Sequence, residues 1–385
     1  MNFEEEIARL NEHFFFSEFT FSKNTFQPHP SEEVELADSI IWLDDQVVVF
    51  QLKERNKESE TTEKEEARWF ERKVLTRGSK QIRDTLSYLE SHKRIDIANN
   101  KGHAFHLESG AIAVLHKIIC YLPHKQLPIE NRLKKYHQSE TAGIIHLIQA
   151  PDYIGIVQTL LTPPELNEYL SFREELIQKW GGKVNAVNEQ ALMGQYLHGN
   201  SDEEPHDGFI EYLAALTHKA EEWDVSGIIK FFPDRITTEN MPTDYYRIIS
   251  ELAKLKRNEL REFKMRFQLS MEKCRANKFT KPYRMACPRT QCGFVFIPLE
   301  SDFIERRAQG LENLTYGCKY DLKLSKCVGI SFAPEDQGWY SVHWCYMEFP
   351  WEQDSEADAW LKESSPFREV NETELNRYTY QHADD

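Results

Sequence analysis

The chain has 385 residues, of which 40% are hydrophobic and 12% aromatic, and its formal net charge is −16. The apolar content excludes an intrinsically disordered chain, and the length favours two domains over a single core. The acidic total argues against a protein that binds nucleic acid over its whole surface, but it leaves room for a locally basic cleft.

Several features predict a cytoplasmic protein. The chain opens with the acidic residues Glu4–Glu6, where a secretory signal requires a basic segment. No run of roughly 18 apolar residues is present, so we expect no membrane span. The seven cysteines are odd in number and widely spread, which is typical of reduced thiols. The spacing from Cys287 to Cys292 is wider than in structural zinc sites, so packing is favoured over zinc binding there.

In chain order, the first predicted element is a helix over 2–16, with Phe3, Ile7, Leu10 and Phe14 as its apolar stripe. A short strand over 19–22 and a proline-containing break follow. Two apolar runs rich in β-branched residues then flank Asp44-Asp45 and predict a hairpin over about 33–54.

The register of this hairpin determines which side chains meet. If Asp44 and Asp45 form a two-residue loop, Asp38 lies opposite Gln51. Side chains alternate along a strand, so Gln51 and Lys53 share a face with Asp38. In the same register Glu35 points to the opposite face. The hairpin alone thus gathers a carboxylate, an amide and an ammonium.

A long helix is predicted from about 63 to 91, beginning at a capping box formed by Thr62 and Glu65. It carries six basic side chains. Strands are predicted over 111–122 and 143–149, followed by two helices within 152–170. Residues 183–207 lose periodicity and are predicted to link a first domain (1–182) to a second, α+β domain (208–385). In the second domain we expect helices over 208–224 and 242–278 and strands over 294–299, 323–332 and 339–349.

The order helix, three strands, helix, strand, with Glu35-Leu-Ala-Asp38 followed by Gln51-Leu-Lys53, resembles the restriction-endonuclease-like PD-(D/E)XK nuclease superfamily. The Gln-x-Lys motif is closest to the Mrr-like variants. The resemblance covers about two fifths of the chain and implies an α/β αβββαβ core. The alternative is that Asp38 and Lys53 are ordinary charged residues of an edge strand, where charges oppose aggregation.

The resemblance implies a Mg²⁺ or Mn²⁺ site formed by Asp38, the amide oxygen of Gln51 and the backbone carbonyl of Leu52. Hard divalent cations prefer such oxygen ligands and activate water for phosphodiester hydrolysis. Lys53 is expected to orient the water or stabilise the developing anion. Because Gln51 is neutral, a further acid is expected from the first helix. Glu5 and Glu6 are the candidates, and Glu6 is preferred because it lies beside Phe3 and Leu10.

Two segments are candidates for nucleic-acid contact. Lys80 and Gln81 lie in the helix that packs beside the site in relatives. Residues 254–284 are rich in Lys and Arg, and Lys256, Arg257 and Arg261 are predicted to contact phosphates. The alternative in both cases is a solvated or internally paired charged surface.

The sequence therefore predicts a Mg²⁺-dependent endonuclease that acts on DNA. The resemblance also implies a role in bacterial defence against foreign DNA, assembly as a homodimer or larger oligomer, and a partner protein of a defence system. The alternative is a catalytically inactive, nuclease-fold interaction or nucleic-acid-binding protein.

Overall fold

The computed structural model describes residues 3–22, 24–29, 32–55, 60–236, 241, 243–335, 340–369 and 373–381. The chain forms two compact units. Unit 1 contains the described residues up to Thr217 and those from Tyr378 onward, and unit 2 spans His218–Arg377. Both units combine helices with sheets, which confirms the mixed α/β class predicted from the sequence.

Unit 1 is built from a mixed sheet and helices on both of its faces. Its elements are α1 (Phe3–Phe15), β1 (Thr20–Phe21), β2 (Thr25–His29), β3 (Glu32–Glu35), β4 (Ser39–Leu43), β5 (Gln46–Lys53), α2 (Glu63–Trp69), a π-helical segment (Phe70–Gly78), α3 (Ser79–Ser91), β6 (Arg94–Ala98), β7 (Ala104–Glu108), β8 (Val114–Tyr121), α4 (Ile129–Arg132), β9 (Tyr136–Ser139), β10 (Gly143–Gln149), α5 (Ala150–Leu160), α6 (Pro163–Trp180), α7 (Glu189–His198) and α8 (Ile210–Ala215).

The six-stranded sheet has the order β1-β4-β5-β8-β10-β9. The first three strands are antiparallel, whereas β5, β8 and β10 are parallel. One face packs against α1 and α5 through Phe50 and Tyr153. The other face packs Val49 against Phe70 and Ile82 of the long helix. Alternate residues of β5 therefore contact different helices, and Gln51 lies on the long-helix face.

The predicted hairpin and its register are confirmed. Leu43 pairs with Gln46, and Ser39 pairs with Phe50, so Asp44 and Asp45 form a two-residue loop. Asp44 has a φ of 54°, a left-handed conformation that Asp tolerates better than most residues.

The long helix is continuous from α2 through α3 and begins at the predicted capping box of Thr62 and Glu65. Its middle is π-helical, a conformation often found near functional sites. Gly78 ends that segment at the sheet surface, where an added Cβ would lie 2.9 Å from Ile119 Cδ1. Gly78 thus permits a close approach of the helix to β8.

The predicted linker over 183–207 is corrected by the structure. This stretch contains α7, whose residues are buried almost all round, and Leu192 and Met193 belong to the unit 1 cores. A helix buried on every side has no polar face, so it lacks the amphipathic period that marks most helices. The boundary lies instead after Thr217, and the chain returns to unit 1 where Leu216 pairs with Tyr380.

Unit 2 contains a four-stranded sheet of order β11-β12-β13-β14, with α13 and α14 packed on it. Phe263 of α13 contacts Phe294 and Phe296, whereas Leu311 of α14 joins the core cluster that includes Val295. The elements are α9 (Ala220–Trp223), α10 (Ser226–Ile229), α11 (Phe232–Arg235), α12 (Tyr246–Ala253), α13 (Arg257–Arg275), β11 (Tyr283–Cys287), β12 (Cys292–Pro298), α14 (Arg307–Asp321), β13 (Lys326–Pro334), β14 (Tyr340–Glu348) and α15 (Ser355–Ser364).

All seven cysteines are unpaired thiols, and six of them are buried. Cys120, Cys318 and Cys327 pack in the hydrophobic cores, whereas the Cys287 thiol donates to Glu259 Oε1 at 3.2 Å. Among the helices of the described ranges, none combines the length and apolarity that a membrane crossing requires.

Candidate active site

Three oxygen atoms converge on one point at the end of β5. The Lys53 ammonium lies 3.3 Å from Asp38 Oδ2, 3.3 Å from Gln51 Oε1 and 2.9 Å from the Leu52 carbonyl oxygen. These are the three oxygens predicted as metal ligands, and each is within hydrogen-bond reach of the same cation. The structure therefore brings Asp38, Gln51, Leu52 and Lys53 together as the hairpin register predicted.

The turn before Asp38 is held by two side chains, and Asp38 itself by one backbone hydrogen bond. Its Oδ2 accepts a 2.5 Å hydrogen bond from the Leu52 N–H, which fixes the carboxylate against β5. The preceding turn is tied to Asn24, whose Oδ1 accepts from the Ala37 N–H at 2.8 Å. On the other side Thr85 donates to the Leu36 carbonyl at 2.5 Å. The carboxylate is thus positioned by an ordered turn, not by a free loop.

Opposing effects act on the pKa of Lys53. Burial lowers the pKa of this lysine, whereas the charge and hydrogen bond of Asp38 raise it, and the net direction is downward. The positive charge of Arg77, in the π-helical segment, lowers it further. The charge of Arg77 thus acts on the site. The sequence did not single out Arg77, although it was among the six basic residues of the predicted helix.

The acid that the first helix directs to the site is Glu4, not the predicted Glu6. Burial and the negative charge of Asp38 raise the pKa of Glu4, while Lys53 opposes that shift. A hydrogen bond of 3.3 Å from the Phe3 N–H to Glu54 holds this end of α1 beside the end of β5. Glu4 is therefore the first-helix acid whose charge interacts with Asp38 and Lys53.

The reason for the correction is a rotation of the buried face of α1. The buried residues are Phe3, Ile7, Asn11 and Phe15, instead of the predicted stripe through Leu10 and Phe14. Asn11 is buried because it donates to Ser39 and accepts from the Tyr153 hydroxyl. At 100° per residue, Glu4 lies about 40° and Glu6 about 120° from the centre of this stripe.

Glu35 also belongs to the site, contrary to the prediction. Burial and the charges of Asp38 and Glu4 raise its pKa, so its carboxylate lies within their field. The prediction extended the alternation of β4 back to residue 35. In the structure Glu35 ends β3, which pairs with β2 in a separate ribbon, so its direction is independent of β4. Because a break was predicted around residues 27–31, the sequence did not predict this ribbon.

A cavity of about 110 Å³ adjoins these residues, and Gln81 lines it from α3. The Oε1 atom of Gln81 is buried and makes no hydrogen bond within the described residues. Lys80 does not line the cavity: its side chain is 70% exposed and lies 4.0 Å from Asp84. Of the two α3 residues predicted from the sequence, the geometry therefore favours Gln81. The other residues around the cavity are Val34, Glu35, Leu36, Ala37, Asp38, Gln51, Asp84, Thr85 and Tyr88.

The basic stretch of unit 2 is engaged in internal contacts. Arg257 is buried, and Arg261 lies 2.9 Å from Glu222 in an ion pair. Lys256 is the N-cap of α13, and its N–H donates to Glu259. The burial of Arg257 contradicts its predicted phosphate contact, and Arg261 is paired with an acid that local Lys/Arg density does not reveal.

A second polar cluster lies on the opposite face of the unit 1 sheet. Donor atoms of His116, His146 and Glu174 lie within 4.8 Å of one another. Glu174 Oε1 is 3.1 Å from His116 Nδ1 and 3.3 Å from His146 Nε2. Two imidazoles and a carboxylate are a ligand set typical of zinc, not of magnesium.

The surroundings of His146 favour a hydrogen-bond network over a metal site. Arg173 Nη1 lies 3.0 Å from His146 Nδ1, and a guanidinium can only donate. The neutral ring therefore carries its proton on Nε2, the atom that faces Glu174. Burial lowers the pKa of His146 to about 3, so the ring stays neutral. A protonated Nε2 has no lone pair for a metal ion.

No protein-family model matches this chain, and no curated protein or solved structure does either.

Proposed function

We propose that unit 1 is a divalent-metal-dependent nuclease domain. The observation that carries this proposal is the convergence of Asp38 Oδ2, Gln51 Oε1 and the Leu52 carbonyl on a single cation, within 3.3 Å. The order of elements along the chain also supports it. The strands of the six-stranded sheet and the helices beside them follow one another as α1, β1, β4, β5, the long helix and β8, which is the order that the PD-(D/E)XK resemblance implies.

The donor set fits a hard cation. One carboxylate, one amide oxygen and one backbone carbonyl are the ligand types that Mg²⁺ and Mn²⁺ accept, and Glu4 and Glu35 add negative charge nearby. Asp38, Gln51 and Leu52 would hold the ion, which supplies charge neutralisation at the phosphate and a more acidic water.

Lys53, Glu4 and Gln81 would carry out the rest of the chemistry. Lys53 is a buried ammonium with a lowered pKa, suited to donate a hydrogen bond to the anion that develops on the phosphate. Glu4 has a raised pKa and is suited to accept the proton of the attacking water. Gln81 offers an unpartnered amide oxygen to a water or sugar hydroxyl in the cavity.

The proposed substrate is DNA, on the strength of the family resemblance. Cutting both strands of a duplex needs two sites, so the proposal includes a homodimer or larger assembly. Defence of a bacterial cell against foreign DNA, with a partner protein of the same system, is the biological role that the resemblance suggests.

The test is cleavage of plasmid and labelled oligonucleotides, DNA and RNA, with Mg²⁺ or Mn²⁺. Wild type is compared with Asp38→Asn, Lys53→Ala and, as a matched control, Asp45→Asn on the exposed loop of the same hairpin. We expect loss of at least about 100-fold in rate for the first two and no change for the control. Cleavage that persists in both site variants would remove the proposed site. Thermal denaturation of each variant checks folding.

A non-catalytic nucleic-acid-binding protein on the same fold is the second candidate. Only one of the three converging oxygens belongs to a carboxylate, which weakens a metal site relative to one with two acids. Wild-type protein that binds nucleic acid but never cleaves it with either metal would favour this function over the nuclease.

A further inference from the structure

Unit 2 contains a cavity of about 330 Å³ that the proposed nuclease function does not use. Its volume falls within the range of about 300–1,000 Å³ that is usual for small-molecule sites. The walls come from α14 and from the segment that joins β14 to α15. The lining residues are Tyr316, Lys319, Tyr320, Phe349, Pro350, Trp351, Glu352, Gln353 and Asp354.

The most unusual lining residue is Lys319. Its side chain is 1% exposed, and no carboxylate or other hydrogen-bond acceptor pairs with it in the part of the chain that the structure describes. Its ammonium lies 3.6 Å from the centroid of the Phe349 ring. Burial lowers the pKa of Lys319, which reflects the cost of taking the charge from water. The cation–π contact with Phe349 offsets only part of that cost.

Four aromatic rings of the cavity wall lie nearly parallel to one another. Phe349, Tyr316, Tyr320 and Trp351 form a row in which neighbouring rings are inclined by only 23–30°. Phe349 remains 42% exposed, which is high for a phenylalanine that covers a buried charge. An exposed aromatic face beside an unpaired ammonium attracts a ligand that is both flat and anionic.

The polar edges of these rings are already satisfied within the protein. The Tyr316 hydroxyl donates to Asp354 at 2.7 Å, and the Tyr320 hydroxyl donates to Asp358 at 2.8 Å. Trp351 Nε1 donates to the Tyr320 carbonyl at 3.0 Å. These bonds fix the ring orientations, so the faces are preorganised for stacking. Glu352 adds an exposed carboxylate at the rim, an acceptor for amino or hydroxyl groups.

We propose that this cavity is a nucleotide-binding site, in which the base stacks on the aromatic row and the phosphate pairs with Lys319. Aromatic side chains stack favourably on every base, because each base has a π-face. A phosphate placed on a desolvated ammonium gains a charge-assisted hydrogen bond. Lys319 disfavours a cationic ligand of the kind that aromatic cages often bind. This site stands on unit 2 alone and does not depend on the nuclease proposal.

Isothermal titration of the full chain with AMP, GMP, CMP and UMP tests the site, with adenosine and inorganic phosphate as separate arms. We expect at least one nucleotide to bind at least about tenfold more tightly than its parts, because stacking and charge act together. Lys319→Met should weaken binding by about 10–100-fold. Lys362→Met, an exposed lysine of α15, is the matched control and should bind as wild type does.

A stability measurement separates a ligand site from a structural role. Because Lys319→Met removes a buried charge without an anionic partner, it should raise the melting temperature while it lowers nucleotide affinity. A lower melting temperature would indicate that Lys319 serves the fold. Absence of nucleotide binding up to about 5 mM would overturn the proposal. So would equal affinity in Lys319→Met, or tighter binding of phosphotyrosine, which is also flat and anionic.

Discussion

The Lys53 ammonium lies 3.3 Å from the Asp38 carboxylate, and both side chains are nearly buried. The ammonium thus contacts the same oxygens that we propose as ligands of a divalent cation. Two cations that share one set of oxygens compete for it by direct repulsion and by loss of hydrogen bonds.

This competition makes Lys53→Met informative. We expect the variant to lose cleavage, since the donor to the developing anion is gone, while its affinity for Mn²⁺ rises by up to about tenfold. Calorimetry or the paramagnetic spectrum of Mn²⁺ measures the affinity without any turnover. Lys93→Met, which changes an exposed lysine between α3 and β6, should alter neither property. Weaker metal binding in Lys53→Met would show that the two cations do not share the site.

Glu4 and Glu6 provide a matched pair on the same helical turn. Glu4→Gln is expected to lower the cleavage rate by about 10–100-fold, because it removes the acid that interacts with Asp38 and Lys53. Glu6→Gln should leave the rate within about twofold of wild type. Single-turnover cleavage at saturating metal measures both. A larger effect from Glu6 would restore the assignment made from the sequence.

Asn24 is expected to matter for folding rather than for chemistry. It is fully buried, donates to the Phe21 carbonyl and accepts from the Ala37 N–H. Asn24→Ala leaves that buried N–H without a partner, at a cost of about 1–3 kcal/mol in the free energy of unfolding. Urea denaturation measures the loss. Because the turn that carries Asp38 also loosens, metal affinity should decrease in parallel.

Acid should destabilise unit 1 through His146. Its pKa is about 3 in the folded chain, against about 6.5 when unfolded, so the unfolded state takes up the proton first as the pH falls. The free energy of unfolding should drop by up to about 1.4 kcal/mol per pH unit between about pH 6 and pH 4. Burial raises the pKa of Glu174, but the hydrogen bonds from His116 and His146 have a larger effect, and the net pKa is lowered. Protonation of Glu174 therefore adds to the loss of stability at more acidic pH.

Denaturation curves at a series of pH values for wild type and His146→Gln test this account. The slope of stability against pH should be shallower in the variant. His106→Gln, at an exposed position, serves as the control and should keep the wild-type slope. Equal slopes in all three proteins would assign the acid sensitivity to other groups.

The sequence was sufficient to predict the centre of the candidate site. A two-residue loop and a period of two determine every pairing in the hairpin, so Asp38, Gln51 and Lys53 could be placed together from local information. The long helix was predictable for the same reason, because its cap and its apolar spacing lie within the segment itself.

Contacts between distant segments account for the errors. Asn11 is polar and lay outside the predicted apolar stripe. Its hydrogen bonds with Ser39 and Tyr153 bury it, and the resulting rotation of the buried face favours Glu4 over Glu6. Arg261 was assigned to nucleic acid, yet its partner Glu222 lies 39 positions earlier. The His116–Glu174 cluster was missed because its members are separated by 58 positions and share no local pattern.

The return of the chain to unit 1 has a consequence for synthesis. The Thr217 N–H donates to the Thr379 carbonyl at 2.8 Å, so unit 2 is inserted between two neighbouring points of unit 1. Tyr378 and Tyr380 bond to Tyr196 and Leu197 only after the residues of unit 2 have left the ribosome. The core of the proposed nuclease domain therefore gains its contacts with Tyr378 and Tyr380 only after unit 2 has been synthesised, and a ribosome stalled inside unit 2 would leave these contacts unmade.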